Sequence, residues 1–270
     1  MNPSENQGPS VLTPSGDDPP PGGSAPFERF QSLAHGRETL LRGGAAGAML
    51  FAVGTDGRLN CGASPAAAAA LLGSMGARAV GFSSPDPELL EEALEAAFEA
   101  SPLPLWAELT APGVGEREVL RLCRASTLLV PNEAERARIA PLAAQMTRPS
   151  REEEDKYVAA VTAGEIYWID SAIDLSEEIS PGPDFPKQIL RAEDETFCAL
   201  SLVIDTEEEL SLFTEYQYMF KAPVCLSSSD QGMMIRAVHN FCGRALYDGN
   251  QGLDVAFIDR LVRRYGLIRL

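Results

Sequence analysis

Basic residues are scarce in this sequence. Its 270 residues carry 22 Lys and Arg against 39 Asp and Glu, a formal net charge of −17. A nucleic-acid surface needs clustered cations that displace counterions, so the balance excludes nucleic acid as the expected partner, and an anionic membrane surface with it. The excess acid reads as a solubility charge. Histidine is rarer still: His35 and His239 stand alone, and each is expected to be solvated or satisfied rather than a ligand. No apolar run approaches the ~20 residues of a membrane span. The opening MNPSENQGPS has neither the basic nor the apolar segment of a secretory leader. Five cysteines, at 61, 123, 198, 225 and 242, are odd in number and widely spaced, with no CxxC. Together these absences predict a cytoplasmic protein with reduced thiols.

Large apolar side chains are almost missing from residues 1–26, which hold seven Pro and four Gly. Such a segment buries too little surface to offset its ordering entropy and is predicted to be a disordered tail. From Phe27 the composition changes. The spacing of Phe27, Phe30, Leu33, Leu40 and Leu41 predicts one helix ending at Gly43-Gly44. A beat of strand and helix follows. AMLFAVG, RAVGF, LPLWAEL and STLLV read as strands. Between them stand the helix opened by Ser64-Pro65, the acid-fronted PDPELLEEALEAAFEA, EREVLRLCRA, and the helix capped by Asn132.

RPSREEEDK, residues 148–156, reads as a charged linker. Beyond it YVAAVTAGEIYWID predicts a hairpin or a pair of short strands, and SEEISPGPDFP a loop. The beat then returns through CALSLVID, a helix over 206–220, APVCLSS, a helix over 230–241, RALYD, a helix over 254–265 and LIRL. Strands without strict polar alternation, separated by helices, imply parallel sheet. The predicted class is α/β: repeated βα units in a partial or composite TIM-barrel-like fold, with a disordered N-terminal tail. The predicted parts are 1–26, a tail; 27–147, a partial βα domain; 148–156, a linker; and 157–270, a C-terminal α/β domain. Two lobes and one composite barrel both suit four strands on either side of the linker.

Ligands of such folds gather at the carboxyl ends of the strands. Those ends fall at 81–86, 108–113, 130–132, 205–206, 227–230 and 248–250. The candidate ligand-binding residues are Ser83, Ser84, Asp205, Asp230 and Asp248; no catalytic residue is assigned. Two hydroxyls and the backbone N–H groups at Ser83-Ser84 suit a carboxylate or other small anion at a helix start, while Asp86 opposes one. Each candidate also has a plainer reading as a helix cap or turn residue, and that reading is favoured, because capping needs nothing beyond the local chain.

Residues 46–146 resemble the later half of the homocysteine S-methyltransferase domain of betaine-dependent enzymes and cobalamin-dependent methionine synthase. Asp56-Gly57-Arg58 with Gly62 and Pro65 matches a first family element. Gly76-Ala77 with Gly81 and Pro85 matches a second, and Ala111-Pro112-Gly113 a third. The resemblance implies a βα barrel in which three cysteine thiolates hold zinc, and the zinc deprotonates the homocysteine thiol. Here Ser83-Ser84 stands where the family has its Asn-Cys. STLLVPNEAERARI stands where it has a double cysteine. A neutral hydroxyl is a poor substitute for a thiolate. Cys61 precedes a helix rather than ending a strand, and Cys123 reads as core inside a helix beside Val119 and Leu122. Zinc is therefore expected for the family but its ligands are missing, and no metal or other cofactor is predicted. TLLRGGAAGAML is similar to the opening of the family barrel, which would place an internal deletion just after it.

The last part, about 157–270, resembles a segment that follows this domain in some bacterial members. Within it, YQYMFKAPVCLSSSDQGMMIRAVHNFCGRALYDGNQG is also similar to two units of the pterin-binding barrel, with Asp248 in place of the pterin-contacting Asn. The resemblance implies a degenerate methyltransferase-like protein without zinc. It would be catalytically silent and act as a binding or assembly partner in methionine and one-carbon metabolism. The implied partners are a small-molecule thiol or amino acid, or a protein of a corrinoid or methyl-transfer system. Two alternatives stay open: an active methyltransferase half completed by a partner chain, and an α/β domain with an unrelated small ligand.

Overall fold

The computed structural model describes residues 8–13, 27–43, 47–150, 157–170, 173–195 and 199–270. The chain divides into two compact units, residues 1–153 and 154–270. It is an α/β protein of repeated βα units. Among the described residues no helix is long and apolar enough to cross a membrane.

Local chemistry sets the helix starts of the first unit. The Ser64 side chain accepts from the Ala67 N–H, and Pro65 supplies a preset φ at the first position of α2 (Pro65–Ser74). Asp86 accepts from the Glu88 N–H at the head of α3 (Pro87–Ala100), and Asn132 from the Glu135 N–H at the head of α5 (Glu133–Ala143). α2 is buried on every side from Pro65 to Leu72, which its run of alanines permits: a small side chain lets neighbours approach from all directions.

Between these helices the apolar runs form a parallel sheet. β2 (Phe27–Phe30), β3 (Ala48–Ala52), β4 (Val80–Ser84), β5 (Leu105–Leu109) and β6 (Thr127–Leu129) lie side by side in chain order, and β1 (Ser10–Leu12) adds beyond β6. The sheet is open, not a closed barrel. α1 (Leu33–Arg42) packs on α2, α2 on α3, α3 on α4 (Glu116–Arg121) and α4 on α5. That succession puts the helices on one face, as right-handed crossovers between adjacent parallel strands require.

Three expectations differ from the structure here. Phe27–Phe30 is a strand, and the helix begins only at Leu33, where Ser32 in extended backbone accepts from the His35 N–H. The Phe27 and Phe30 pair fits helical spacing, but Phe30 turns outward onto Phe51, at 5.7 Å between ring centroids. Within the expected tail, residues 10–12 are an edge strand. Ser10 N–H donates to the Ser126 carbonyl, the Val130 N–H to the Leu12 carbonyl, and the Thr13 hydroxyl to Glu133 at 2.7 Å. Ladder bonds to a preformed neighbour order this short piece, which its average composition does not register. Residues 1–7, 14–26 and 151–156 lie outside the described residues, and with them most of the expected tail and linker. Finally, α4 stops at Arg121, so Cys123 sits in a half-buried turn rather than in a helix core.

Strand alternation sorts the side chains of this sheet onto two faces. Met49 and Phe51 point to the helices, where they lie close to Gly36 of α1. Leu50, Gly81 and Trp106 are register partners and share the opposite, inner face. Phe27 and Trp106, three strands apart, bring their ring centroids to 6.5 Å across it. Gly81 makes this closure possible. A Cβ there would lie 2.2 Å from Leu50 Cδ2 and 2.8 Å from Trp106 Cβ. Leu50 therefore lies over the glycine, and the sheet curves around it.

In the second unit, β7 (Val158–Thr162) and β8 (Glu165–Ile169) form an antiparallel hairpin. Its two-residue turn has positive φ at both Ala163 (48°) and Gly164 (84°), the conformation that matches strand twist. β9 (Leu200–Val203), β10 (Val224–Ser227), β11 (Leu246–Tyr247) and β12 (Ile268–Arg269) make a four-stranded parallel sheet, again in chain order. α6 (Phe185–Glu195), α7 (Glu207–Tyr216), α8 (Gln231–Asn240) and α9 (Val255–Tyr265) complete the unit. No helix is predicted from the sequence over α6. Phe185, Phe213, Phe220 and Phe241 form an aromatic cluster, with Phe213 and Phe220 stacked at 5.8 Å.

Ala160 and Ile169 of the hairpin pack with Ala199, Cys225, Leu246 and Ile268, so the hairpin covers one face of this sheet. Arg244 fastens it there. Its guanidinium donates to the carbonyls of Ala159 and Gly266, both at 2.9 Å, and burial lowers its pKa to about 10.

Gly81→Ala is expected to destabilise the full-length protein by about 1–3 kcal/mol, the usual cost of overpacking. Gly81→Val should cost more. Denaturant titration followed by tryptophan fluorescence checks this; an unchanged midpoint for both would show that the inner face has slack.

Candidate functional site

The two serines at the end of β4 have different fates. Ser84 is buried, and its hydroxyl accepts from the Asp86 N–H at 3.1 Å. It is committed to the turn that starts α3. Ser83, one residue earlier, points to the opposite face, where its register partners are Ala52 and Glu108. The pair is not a single two-hydroxyl cradle.

Glu108 is the unusual group of that inner face. Its side chain keeps 6% of its exposure, on a strand otherwise made of apolar residues. One oxygen, Oε1, accepts from Arg29 of β2, whose side chain is 53% exposed. The other, Oε2, is buried without a hydrogen-bond partner. A buried carboxylate oxygen without a donor is costly, so the arrangement calls for an explanation. The Arg29 guanidinium also lies 4.9 Å from the centre of the Phe27 ring. Glu108 falls among the predicted strand ends, but Arg29 falls in a predicted helix, which hides the pairing. The signal that was present is a lone carboxylate inside PLWAEL, an otherwise apolar strand.

In the second unit Asp205 and Asp230 are brought together through a residue that was not singled out. Ser228 donates to Asp205 Oδ1 at 2.9 Å and accepts from the Asp230 N–H at 3.2 Å. Ser229 adds its N–H and hydroxyl to the same Oδ1, at 2.7 and 3.0 Å. Partial burial pushes the Asp205 pKa up, but these three donors outweigh it and hold the carboxyl below its ordinary value. Asp230 caps α8 by accepting from the Met233 N–H at 2.8 Å. Asp248 closes its own turn, accepting from the Asn250 N–H at 3.0 Å. Its backbone N–H bonds Cys225. Burial, reinforced by the Asp248 charge, pushes that thiol up to about 12, so Cys225 is a neutral core side chain at physiological pH.

The residues do not fit the zinc that the family resemblance implies. Among the described residues no group of three or more His, Cys, Asp and Glu could hold a metal ion. Ser84 is occupied by its turn, and Leu128 and Leu129, in the segment where the resemblance would place a double cysteine, are fully buried. Cys61 is exposed, and Cys198 lies outside the described residues. His35 packs its ring edge-on to Phe30 at 5.2 Å and His239 against Tyr265 at 6.0 Å. Comparison with protein-family models finds no match for this chain, and comparison with curated proteins finds none either.

Two predictions follow from this chemistry. Iodoacetamide at pH 8, with mass-spectrometric mapping, should modify the exposed Cys61 and Cys242 while leaving Cys225 unlabelled until denaturant is added. Early labelling of Cys225 would contradict its burial. A carboxyl with a lowered folded-state pKa contributes stability above its unfolded pKa and loses it as pH falls through the folded value. The melting temperature should therefore fall below about pH 4, and less steeply in Asp205→Asn than in the parent.

Proposed function

We propose that this chain is a homocysteine S-methyltransferase-like protein without the family's zinc chemistry. It works as a catalytically silent binding or assembly partner in methionine and one-carbon metabolism. The reading rests on the sequence resemblance over residues 46–146 and is supported by the sequential, open parallel sheet of the first unit, which suits part of a βα barrel.

One observation carries the loss of chemistry. At the strand end where the family presents its first thiolate, this chain has Ser83 and Ser84 on opposite faces, and the Ser84 oxygen is already bonded to the Asp86 N–H. A hydroxyl there stays protonated at neutral pH and cannot replace the anionic sulfur that acidifies a bound thiol. The small-molecule partner in this reading is a thiol or amino acid, and the protein partner a component of a corrinoid or methyl-transfer system. The setting is a cytoplasm that keeps cysteines reduced.

Metal analysis of the purified full-length protein by mass spectrometry, paired with a homocysteine methylation assay, tests the reading. Substoichiometric zinc and no methylated product are expected. One zinc per chain together with homocysteine-dependent methyl transfer would overturn it.

A further inference from the structure

We propose that the Glu108–Arg29 pair on the inner face of the first unit is a recognition site for a neutral carboxamide or lactam group. The inference goes beyond the family resemblance, since neither residue belongs to the motifs that carry it.

The need comes from one atom. Glu108 Oε2 is buried and has no donor, although its sister oxygen takes Arg29. Buried acceptors in folded proteins are almost always paired. A ligand that satisfies it must bring an N–H or O–H to Oε2. It must also tolerate Arg29, whose guanidinium keeps further N–H donors after serving Oε1.

Charge narrows the choice. Glu108 and Arg29 together are neutral. An ammonium ligand would leave a net positive charge in a largely buried place, and a carboxylate ligand would meet Oε2 with repulsion. A carboxamide carries no net charge and presents N–H and C=O side by side. Its N–H matches the orphaned Oε2, and its C=O matches a free Arg29 N–H.

The surroundings fit such a group. Phe27 and Trp106 are both half-buried, with centroids 6.5 Å apart and ring planes tilted by 57°, and provide an angled apolar wall beside the ion pair. Ser83, register partner of Glu108, places a hydroxyl on the same face. Arg29, with half of its side chain in solvent, is the part that can swing aside to admit the ligand and close over its carbonyl.

The test uses 2-pyrrolidinone, a lactam with N–H and C=O on one edge, against the full-length chain carrying Trp168→Phe. Trp168 is half exposed, and its removal leaves Trp106 as the only indole. A saturable change in Trp106 fluorescence is expected with the lactam, and none with propionate or propylamine at equal concentration. Glu108→Gln, which exchanges a charged acceptor for a neutral one, should weaken the lactam about fivefold or more, the difference between hydrogen bonds to charged and to neutral groups. No saturable response to the lactam overturns the proposal; so does an equal response to either ion, or an unchanged affinity in Glu108→Gln. If circular dichroism shows that Glu108→Gln does not fold, Arg29→Met replaces it, and unchanged affinity there is equally decisive. None of these outcomes bears on zinc content, so this site and the family-based reading fail separately.

Discussion

A right-handed crossover between neighbouring parallel strands can place its helix on one face of the sheet only. Strands β2 to β6 and β9 to β12 each wind in one direction, strand beside next strand, so each sheet covers one face with helices and leaves the other to be closed by other means. The two units solve this differently. In the second, an antiparallel hairpin supplies Ala160 and Ile169 to the open face and is fastened by Arg244 to the carbonyls of Ala159 and Gly266. In the first, the sheet bends over its own face. Leu50 lies over Gly81, and Phe27 comes within ring contact of Trp106. Each large apolar side chain sheltered this way contributes about 1.5–3 kcal/mol, so an uncovered inner face would not be tolerated.

The same constraint explains where the charged groups sit. Most polar residues at the strand ends start the next helix: Ser84 and Asp86, Asn132, Thr206 and Asp230 all accept backbone N–H groups there. Glu108 does not. It turns into the curved inner face, where its charge requires a cation, and curvature brings Arg29 across from β2. Arg244 is the converse case: it is a buried cation satisfied by carbonyls, and its pKa falls to about 10. Cys225 is a third solution, a titratable group that stays neutral because burial disfavours the thiolate and the Asp248 charge adds to that.

Local chemistry made much of the fold legible in the sequence. The caps at Ser64, Asn132, Thr206 and Asp230, with acid-rich first turns in several helices, marked where helices begin, and the apolar runs between them marked strands. The errors came where a short strand runs straight into a helix. Phe27 and Phe30, three apart, satisfy a helical pattern whether or not they are helical, and only Gln31 and Ser32 separate the two states. β1 was hidden because pairing with β6, not its own apolar content, holds it in place. The candidate site was half legible for the same reason. A carboxylate inside an apolar strand is visible in the letters. Its partner lies 79 residues away and is set by register and curvature, which local spacing does not encode.

A barrel-like fold does not by itself carry an activity; the donors on its rim do. Placing cysteines in this chain would not build the metal centre that the resemblance implies, and the reason is geometric. Successive residues of a strand point to opposite faces. Leu128 and Leu129 lie within β6, both fully buried, so thiols at these two positions would diverge instead of converging on one ion. Ser83 and Ser84 diverge likewise, one beside Glu108 and the other into the start of α3. A tetrahedral zinc site needs ligands about 2.3 Å from a single point. Building one here would require each strand to end a residue or two earlier, so that loop backbone could turn adjacent side chains the same way. What this chain has at those ends instead is ladder pairing, capped helices and one carboxylate held by an arginine.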